Sequence, residues 1–243
     1  MGQVESVLTE KGLGDLWETV KEDLERLVGC YERVNKVTSL GQISRLRRIA
    51  VRKASVEGRI VLDAGAGPGY IAMEALRQGA SFVYLLDPIE RMIEEEKKNL
   101  SQYPRYRYDF LQGVFESIPL RDNSVDAVIS SFALRDAYDL EEAVREIARV
   151  VKPSGKVVIL DFYKPESKYK SKLIELYLRI GFPLLSLLAG CRSPGLYTDL
   201  YKTYRKHLTG REYWELFNRH FKNVNVENRM IGVMIIEATG KKA

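Results

Sequence analysis

The sequence predicts an α/β domain whose mostly parallel sheet ends in an antiparallel strand pair. Three observations carry this expectation. Short apolar runs alternate with helix-period patterns between residues 59 and 162. Those runs are apolar at consecutive positions, as strands covered on both faces are. Near the C-terminus, strand-like runs at residues 221–227 and 231–238 are joined by the short polar link 228–230. A link that short favours antiparallel neighbours.

The elements follow in order. Leu13, Leu16, Trp17, Val20, Leu24, Leu27 and Val28 keep the spacing of one helix face. Gly12 and Gly14 break that helix from an earlier helical pattern carrying Val4, Val7 and Leu8. Residues 59–63 (RIVLD) read as a strand that ends in an acid and enters a glycine-rich turn, and residues 70–77 as the helix after it. Next come a strand at 82–87 (FVYLLD), a charged helix over 88–100 and a strand around 106–112. A strand at 125–130 (VDAVIS), a helix over 140–151 and a strand at 156–162 (KVVILDF) complete the alternation. From there to the final strand pair the pattern is helical. Its most apolar stretch, residues 173–189 (LIELYLRIGFPLLSLLA), is interrupted by Glu175, Arg179 and Pro183. It falls short of the roughly 20 uncharged residues that a membrane span needs. It reads as a cap over the sheet, broken near Pro183.

Composition sets further bounds. A chain of 243 residues, 45% hydrophobic, can bury a real core, and it is neither disordered nor collagen-like. No repeat or low-complexity segment interrupts it. Two cysteines, Cys30 and Cys191, are too few for a disulfide framework or a thiolate metal site. They are expected to be small buried hydrophobes and not a redox pair; no metal is expected. No apolar leader follows Met1, since Glu5, Glu10, Lys11 and Asp15 come early, so a cytoplasmic protein is expected. The net charge of +5 is unevenly placed: +2 over residues 1–55, −4 over 56–160 and +7 over 161–243. An acidic middle between basic flanks does not suit a protein that coats nucleic acid.

The turn Asp63-Ala-Gly65-Ala66-Gly67-Pro-Gly69 lies between a strand and a helix. Glycines there let the backbone approach a ligand closely. A structural turn and a dinucleotide site are both alternatives, the latter using GxGxxG with a pyrophosphate at the helix N-terminus. Here the third dinucleotide glycine is replaced by Tyr70, and Asp63 stands just before the first glycine. A carboxylate suits a cationic amino-acid end better than a pyrophosphate, which favours S-adenosylmethionine (SAM). Asp87, at the end of the second strand, is placed to accept bonds from ribose hydroxyls. Both nucleotide types share that feature. The antiparallel ending favours the methyltransferase reading again.

Several segments carry a closer resemblance. The turn 63–69, LLDPIERMIEEEKK, and the run GVFESIPLRDNSVDAVISSFALRDAYDLEEAVREIARVVKPSGKVVILDFYKP are similar to class I SAM-dependent methyltransferases of the UbiE type. That family makes the C-methylations of ubiquinone and menaquinone biosynthesis. Residues 31–41 (YERVNKVTSLG) resemble its YDxMNxxxSxG motif, residues 131–136 (SFALRD) its SFGxRN, and residues 149–161 its RVLKPGG…LE. The resemblance implies a Rossmann-like sheet and methyl transfer to an activated ring carbon of a lipophilic quinol or phenol. It implies a cofactor site made of Asp63, Gly65, Ala66, Gly67, Gly69, Asp87, Pro88, Met92, Val114, Phe115, Ser130 and Ser131. Arg135 is the candidate for stabilising a phenolate, Asp136 for accepting a proton, and Tyr31, Asn35, Tyr177 and Tyr201 for lining the acceptor pocket.

The chain departs from the family at informative places. Val114 stands where the family has an adenine-facing Asp, Asp136 where it has Asn, and Ser154 where it has Gly. Ile43 and the region 237–239 replace histidines at positions where family members meet their quinone. Tyr169, Phe182, Tyr197 and Tyr204 are further aromatics for a ring or prenyl chain; His207 and His220 lie outside any motif and are expected to be structural. The expected organisation is an N-terminal helical segment (1–55) over the cleft, a SAM-binding core (56–162), a helical cap (163–208) and a closing helix and strand pair (209–243). Rival readings are methylation of another small acceptor, a nucleotide-dependent oxidoreductase and a non-catalytic nucleotide-binding module. RNA methylation is disfavoured, because SSFA and not an NPPY-like motif follows the fourth strand. Peripheral membrane contact is expected of the basic flanks, including the run 45–53. The oligomeric state is not legible.

Overall fold

The computed structural model describes residues 12–191 and 201–242. Its seven-stranded sheet has the order β3-β2-β1-β4-β5-β7-β6. The strands are β1 Ile60–Ala64, β2 Phe82–Asp87, β3 Tyr108–Gln112, β4 Val125–Ser131, β5 Val151–Phe162, β6 Phe221–Met230 and β7 Val233–Lys241. The first five run parallel, and β7 lies antiparallel between β5 and β6. The expected mostly parallel sheet with an antiparallel ending is therefore present. The polar link 228–230 is the last part of β6, and the turn to β7 is Ile231–Gly232, where Gly232 takes a φ of +79°.

Helices cover both faces, which is why the parallel strands are almost continuously apolar. On one face α3 (Ile43–Ala54) and α4 (Tyr70–Arg77) pack Ala50, Val51, Ala54, Ile71 and Ala75 against Val61, Val83 and Ile129. On the other, α6 (Leu140–Val150) and α9 (Gly210–His220) pack Val144, Ile147, Tyr213 and Phe217 against Leu62, Val128 and Ile159. The α6 helix is capped by Asp139, whose carboxylate accepts the N–H groups of Glu141 and Glu142. Thr209 and Glu212 form a capping box at the start of α9. Helix α5 (Glu90–Leu100) lies between β2 and β3 in sequence. Because α3 packs in the sheet's core, the division expected near residue 55 passes between two elements of one packed layer.

The remaining helices cover the carboxyl ends of the strands. They include α1 (Trp17–Leu27), α2 (Tyr31–Thr38), α7 (Lys168–Leu176) and α8 (Phe182–Leu188), and residues 201–206 are helical as well. A π turn, Tyr177–Gly181, joins α7 to α8, so the expected break near Pro183 is a change of helical pitch and not a loop. Pro183 sits in the first turn of α8, where its missing N–H is tolerated. Among the described residues, no helix is long and apolar enough to cross a membrane. Val4, Val7, Leu8 and Tyr197 lie outside the described residues.

The cysteines correct an expectation. Cys30 and Cys191 form a disulfide across a sequence separation of 161 residues, with a Cα–Cα distance of 6.0 Å. The bond sits in a small apolar cluster with Leu27, Val34 and Ala189, flanked by Val37 and Phe182. It joins the turn between α1 and α2 to the end of α8. Such proximity comes only from chain packing, so the spacing of two cysteines carries no sign of it.

Candidate active site

Strands β1, β2, β4 and β5 all end on one side of the sheet, near the point where strand order reverses between β1 and β4. Asp63, Asp87, Ser131 and Asp161 therefore come to the same edge from strands far apart in sequence. Above that edge lies a cavity of about 660 Å³. Its roof is apolar: Trp17, Val20, Leu24 and Leu27 present one face of α1, and Leu178 and Phe182 come from the cap. A cavity of this size and character suits a cofactor-sized ligand with an apolar companion.

The glycines of the turn divide its work. Gly65, Gly67 and Gly69 have φ values of +70°, +54° and +82°, a region that L side chains avoid. A Cβ on Gly65 would come 2.3 Å from Ala133 Cβ, so that glycine lets the turn pack on the loop after β4. A Cβ on Gly69 would press on Leu100 at 2.8 Å. Of the three, Gly67 has nothing within 4 Å of such a Cβ and also lines the cavity; this is the cradle a ligand can approach.

Asp87 faces that cradle. Its carboxylate accepts the N–H of Gly67 at 2.8 Å and of Ile89 at 2.9 Å, one on each oxygen. Burial nevertheless pushes its pKa up to about 6. Asp63 also belongs to the turn, but contrary to expectation it does not line the cavity. It is buried behind the backbone, where it accepts the Ala72 N–H at 3.0 Å and so fixes the start of α4. Burial, opposed by that bond and by Arg47 and aided by Asp87, raises its pKa to about 7. Behind both, Glu96 is fully buried; neither carboxyl oxygen has a hydrogen-bond partner among the described residues, and its pKa is pushed up to about 10. Of the three acids Asp87 lines the cavity, and a carboxylate beside the Gly67 cradle gains from a cation and loses from a phosphate. The residues present therefore fit SAM, whose amino and sulfonium groups are cationic, and not a pyrophosphate. Asp87 with the Gly67 backbone would hold it, and Pro88, Met92, Val114 and Phe115 line the same cavity.

Four other residues expected at the cofactor site, Ala66, Gly69, Ser130 and Ser131, lie outside the cavity. Ser130 is fully buried, and the hydroxyls of Ser130 and Ser131 have no hydrogen-bond partner among the described residues. Val114 brings an apolar side chain to the wall; the neighbouring carboxylate lining it is Glu116, which accepts the Asp139 N–H at 2.9 Å.

Arg135 and Asp136 sit on a short 3-10 turn after β4, and both line the cavity. Asp161, at the end of β5, accepts the Arg135 guanidinium at 2.8 Å and its backbone N–H at 3.0 Å. Asp136 lies 3.3 Å from the same guanidinium, which also stacks over the Phe162 ring. One arginine thus faces the buried Asp161 carboxylate and the half-buried Asp136 carboxylate, while its buried Nε has no partner among the described residues. Burial, partly offset by Arg135 and reinforced by Asp161, raises the Asp136 pKa to about 6. Tyr31 and Asn35, on α2, line the same cavity, and burial raises the Tyr31 phenol while Arg47 and Arg135 oppose that shift.

Three positions behave differently from expectation. His207, expected to be structural, is among the residues lining the cavity. It is 7% exposed, and neither ring nitrogen has a hydrogen-bond partner among the described residues. Desolvation, with Arg135 and Lys164 nearby, lowers its pKa well below the usual imidazole range, so it is neutral at pH 7. Its sequence neighbours form no motif; only the packing of the cap brings it near Arg135. Tyr201 does not line the cavity and instead lies under the Arg179 guanidinium, 5.0 Å from it. Glu237 is held by Lys53 at 2.6 Å, and the region 237–239 lies outside the cavity. Tyr177, Phe182, Tyr204 and Ile43 do line it, whereas Tyr169 is exposed outside it. His220 is structural as expected, with its Nε2 3.1 Å from Glu141.

Sheet order, glycine cradle and the acid at the end of β2 together define a class I methyltransferase. Solved structures agree on the fold: a SAM-dependent methyltransferase from Thermotoga maritima matches 90% of this chain and 99% of its own, with a TM-score of 0.63 at 20% identity. One from Methanococcus maripaludis matches 88% and 93%, with a TM-score of 0.62 at 18% identity. The chain belongs to the ubiE/COQ5 methyltransferase family, whose model matches residues 13–241. It is 32% identical over 184 residues to the ubiquinone/menaquinone biosynthesis C-methyltransferase UbiE of Geotalea daltonii, covering 73% of this chain and 75% of that protein. It is 31% identical over 163 residues to the 2-phytyl-1,4-naphtoquinone methyltransferase of Nostoc punctiforme, covering 65% and 71%. The chain is a SAM-dependent methyltransferase.

Proposed function

We propose that this enzyme C-methylates the ring of a prenylated quinol of the demethylmenaquinol or ubiquinol-precursor type. The observation that carries this reading is one apolar cavity lined by both the cation-favouring cradle and the Arg135–Asp136 pair. Bound SAM supplies an electrophilic methyl group. Asp87 and the Gly67 backbone orient it, and the helical cap excludes water from the reacting centre.

A ring carbon beside a phenolic hydroxyl becomes nucleophilic as that hydroxyl loses its proton. Asp136, ionised above about pH 6, takes the proton. The Arg135 guanidinium, at the cavity wall, stabilises the oxygen electrostatically as negative charge develops there. After the new carbon–carbon bond forms, the hydrogen left on that carbon moves to the oxygen and restores the phenol. One proton, on Asp136, is released overall. His207, neutral and lining the cavity near Arg135, adds an uncharged wall on the acceptor side. Relatives named for naphthoquinone and quinone methylation support the acceptor class.

The test is incubation with methyl-labelled SAM and a prenylated naphthoquinol, with mass analysis of the product. Label on the ring carbon is expected. Label on oxygen, or no label with SAM still bound, overturns the reading.

A further inference from the structure

The cap helix carries apolar side chains on both of its sides, the outer one included. Along α7, the π turn and α8, the side facing the protein carries Ser171 and Ser186, which are 7% and 0% exposed. Ser171 bonds the Tyr204 hydroxyl at 3.2 Å, and Ser186 donates to the Phe182 carbonyl at 2.8 Å. The opposite side carries Leu173, Leu176, Ile180, Leu184, Leu187 and Leu188, all exposed. Leu176, Ile180, Leu184 and Leu188 are each more than half exposed. They recur in steps of four, so they form one stripe. The wider π turn at residues 177–181 absorbs the drift that successive steps of four would accumulate in an α-helix. A surface helix in water buries its apolar residues on one side; this one turns Ile174, Leu178 and Phe182 inward and still leaves a second, outward stripe of leucines, and a contiguous exposed apolar stripe marks a contact surface.

We propose that this stripe docks the enzyme on the surface of an anionic lipid bilayer, with the cavity opening turned toward the acyl layer. Two features select a bilayer. Lys168, Lys170, Lys172 and Arg179 lie on the same helix, opposed there only by Glu175. Cations beside an apolar stripe match a surface that is apolar within and anionic at its headgroups. The stripe is also continuous with the cavity rim. Ile174, Leu178 and Phe182 of the same helix line the cavity, as do Met230 and Ile231, which are themselves exposed at the turn between β6 and β7. A second copy of the chain paired through this face would cover the leucines but set the lysines against like charge. A headgroup layer accommodates both. The basic run 45–53 is less suited to the task, because Arg47 is bound to Glu32 and Lys53 to Glu237.

This inference rests on the lipophilic-acceptor reading for its purpose but not for its measurement. Co-sedimentation is measured without acceptor, using large unilamellar vesicles of phosphatidylcholine in which about one lipid in three is phosphatidylglycerol, enough for a surface potential that attracts basic segments. The wild-type protein is expected to sediment with them. The triple variant Leu176→Ser, Leu184→Ser, Leu187→Ser is expected to lose at least about tenfold in partition coefficient. The pair Lys170→Glu and Lys172→Glu, exposed and away from the cavity, is expected to weaken binding and remove its dependence on phosphatidylglycerol. In buffer without vesicles, all variants should retain SAM affinity and turnover of a chainless, water-soluble naphthoquinol. Should the triple variant fail to fold, Leu184→Trp reports instead: brominated lipid should quench the fluorescence that this variant adds over the wild type. Wild-type protein that ignores the vesicles, a triple variant that sediments normally, or added fluorescence that brominated lipid leaves unquenched overturns the proposal. So does a wild-type dimer that the triple variant converts to monomer. Failure of the chainless quinol to be methylated by any form would instead count against the acceptor class.

Discussion

Asp87 is the residue on which cofactor affinity should turn. Its two backbone bonds hold the carboxylate at the cradle, and charge-assisted bonds to a ribose are worth about 1.5–3 kcal/mol. Asp87→Ala is expected to weaken SAM by that amount in isothermal titration; unchanged affinity removes Asp87 from the site. Protonation makes a second prediction. The pKa values of Asp63 and Asp87 are raised by burial to about 7 and 6, above their unfolded values. Their contribution to stability is thus fully present at acid pH and lost as pH rises through the folded values. A cationic ligand favours the ionised forms, so the thermal shift caused by SAM should grow as pH rises from about 5 to about 8. A shift that shrinks over that range would mean that the bound species is not cationic there. Asp136 should give the turnover profile an ascending limb near pH 6. Asp136→Asn should abolish that limb while SAM affinity stays within about twofold, as expected of a residue acting in the chemical step. Much of the site is legible in the sequence: Arg135, Asp136, Tyr31 and Asn35 do converge on the cavity. Asp63 is not, because a strand-terminal acid can turn toward the ligand or toward the following helix, and only the Ala72 bond decides.

At the scale of elements, the turn after β1 separates two demands that a glycine motif presents as one. Gly65→Ala would drive a methyl group into Ala133 at 2.3 Å from a strained φ, and should lower the melting temperature as well as SAM affinity. Gly67→Ala meets no protein atom within 4 Å and carries only the left-handed backbone cost of about 1–2 kcal/mol. It should therefore lose far more SAM affinity than stability. Equal losses in the two variants, measured by thermal melting and titration, would make the whole turn structural. The strands themselves are legible because their apolar runs are continuous and their ends carry acids. The π turn is not, since a proline predicts a break in the bonding pattern without saying that the helix continues with a wider pitch.

For the whole molecule, the disulfide between Cys30 and Cys191 ties the α1–α2 turn to the end of the cap, joining two parts of the cavity's cover. Closing a loop of that length restricts the unfolded chain by roughly 5 kcal/mol on the chain-entropy model, and loss of a native disulfide typically costs about 2–5 kcal/mol. Cys30→Ser should lower the melting temperature, and a reductant should lower that of the wild type but not of the variant. Equal responses to reductant would mean that the bond does not form in solution. Sequence by itself determined the strands, the antiparallel ending and the glycine turn, because each rests on local periodicity or on residues a few positions apart. Tertiary structure alone decided the disulfide, the arrival of His207 near Arg135 and the outward turn of the cap's leucines. Each of those depends on which surfaces meet after residues far apart in the chain have packed, and no local pattern encodes that meeting.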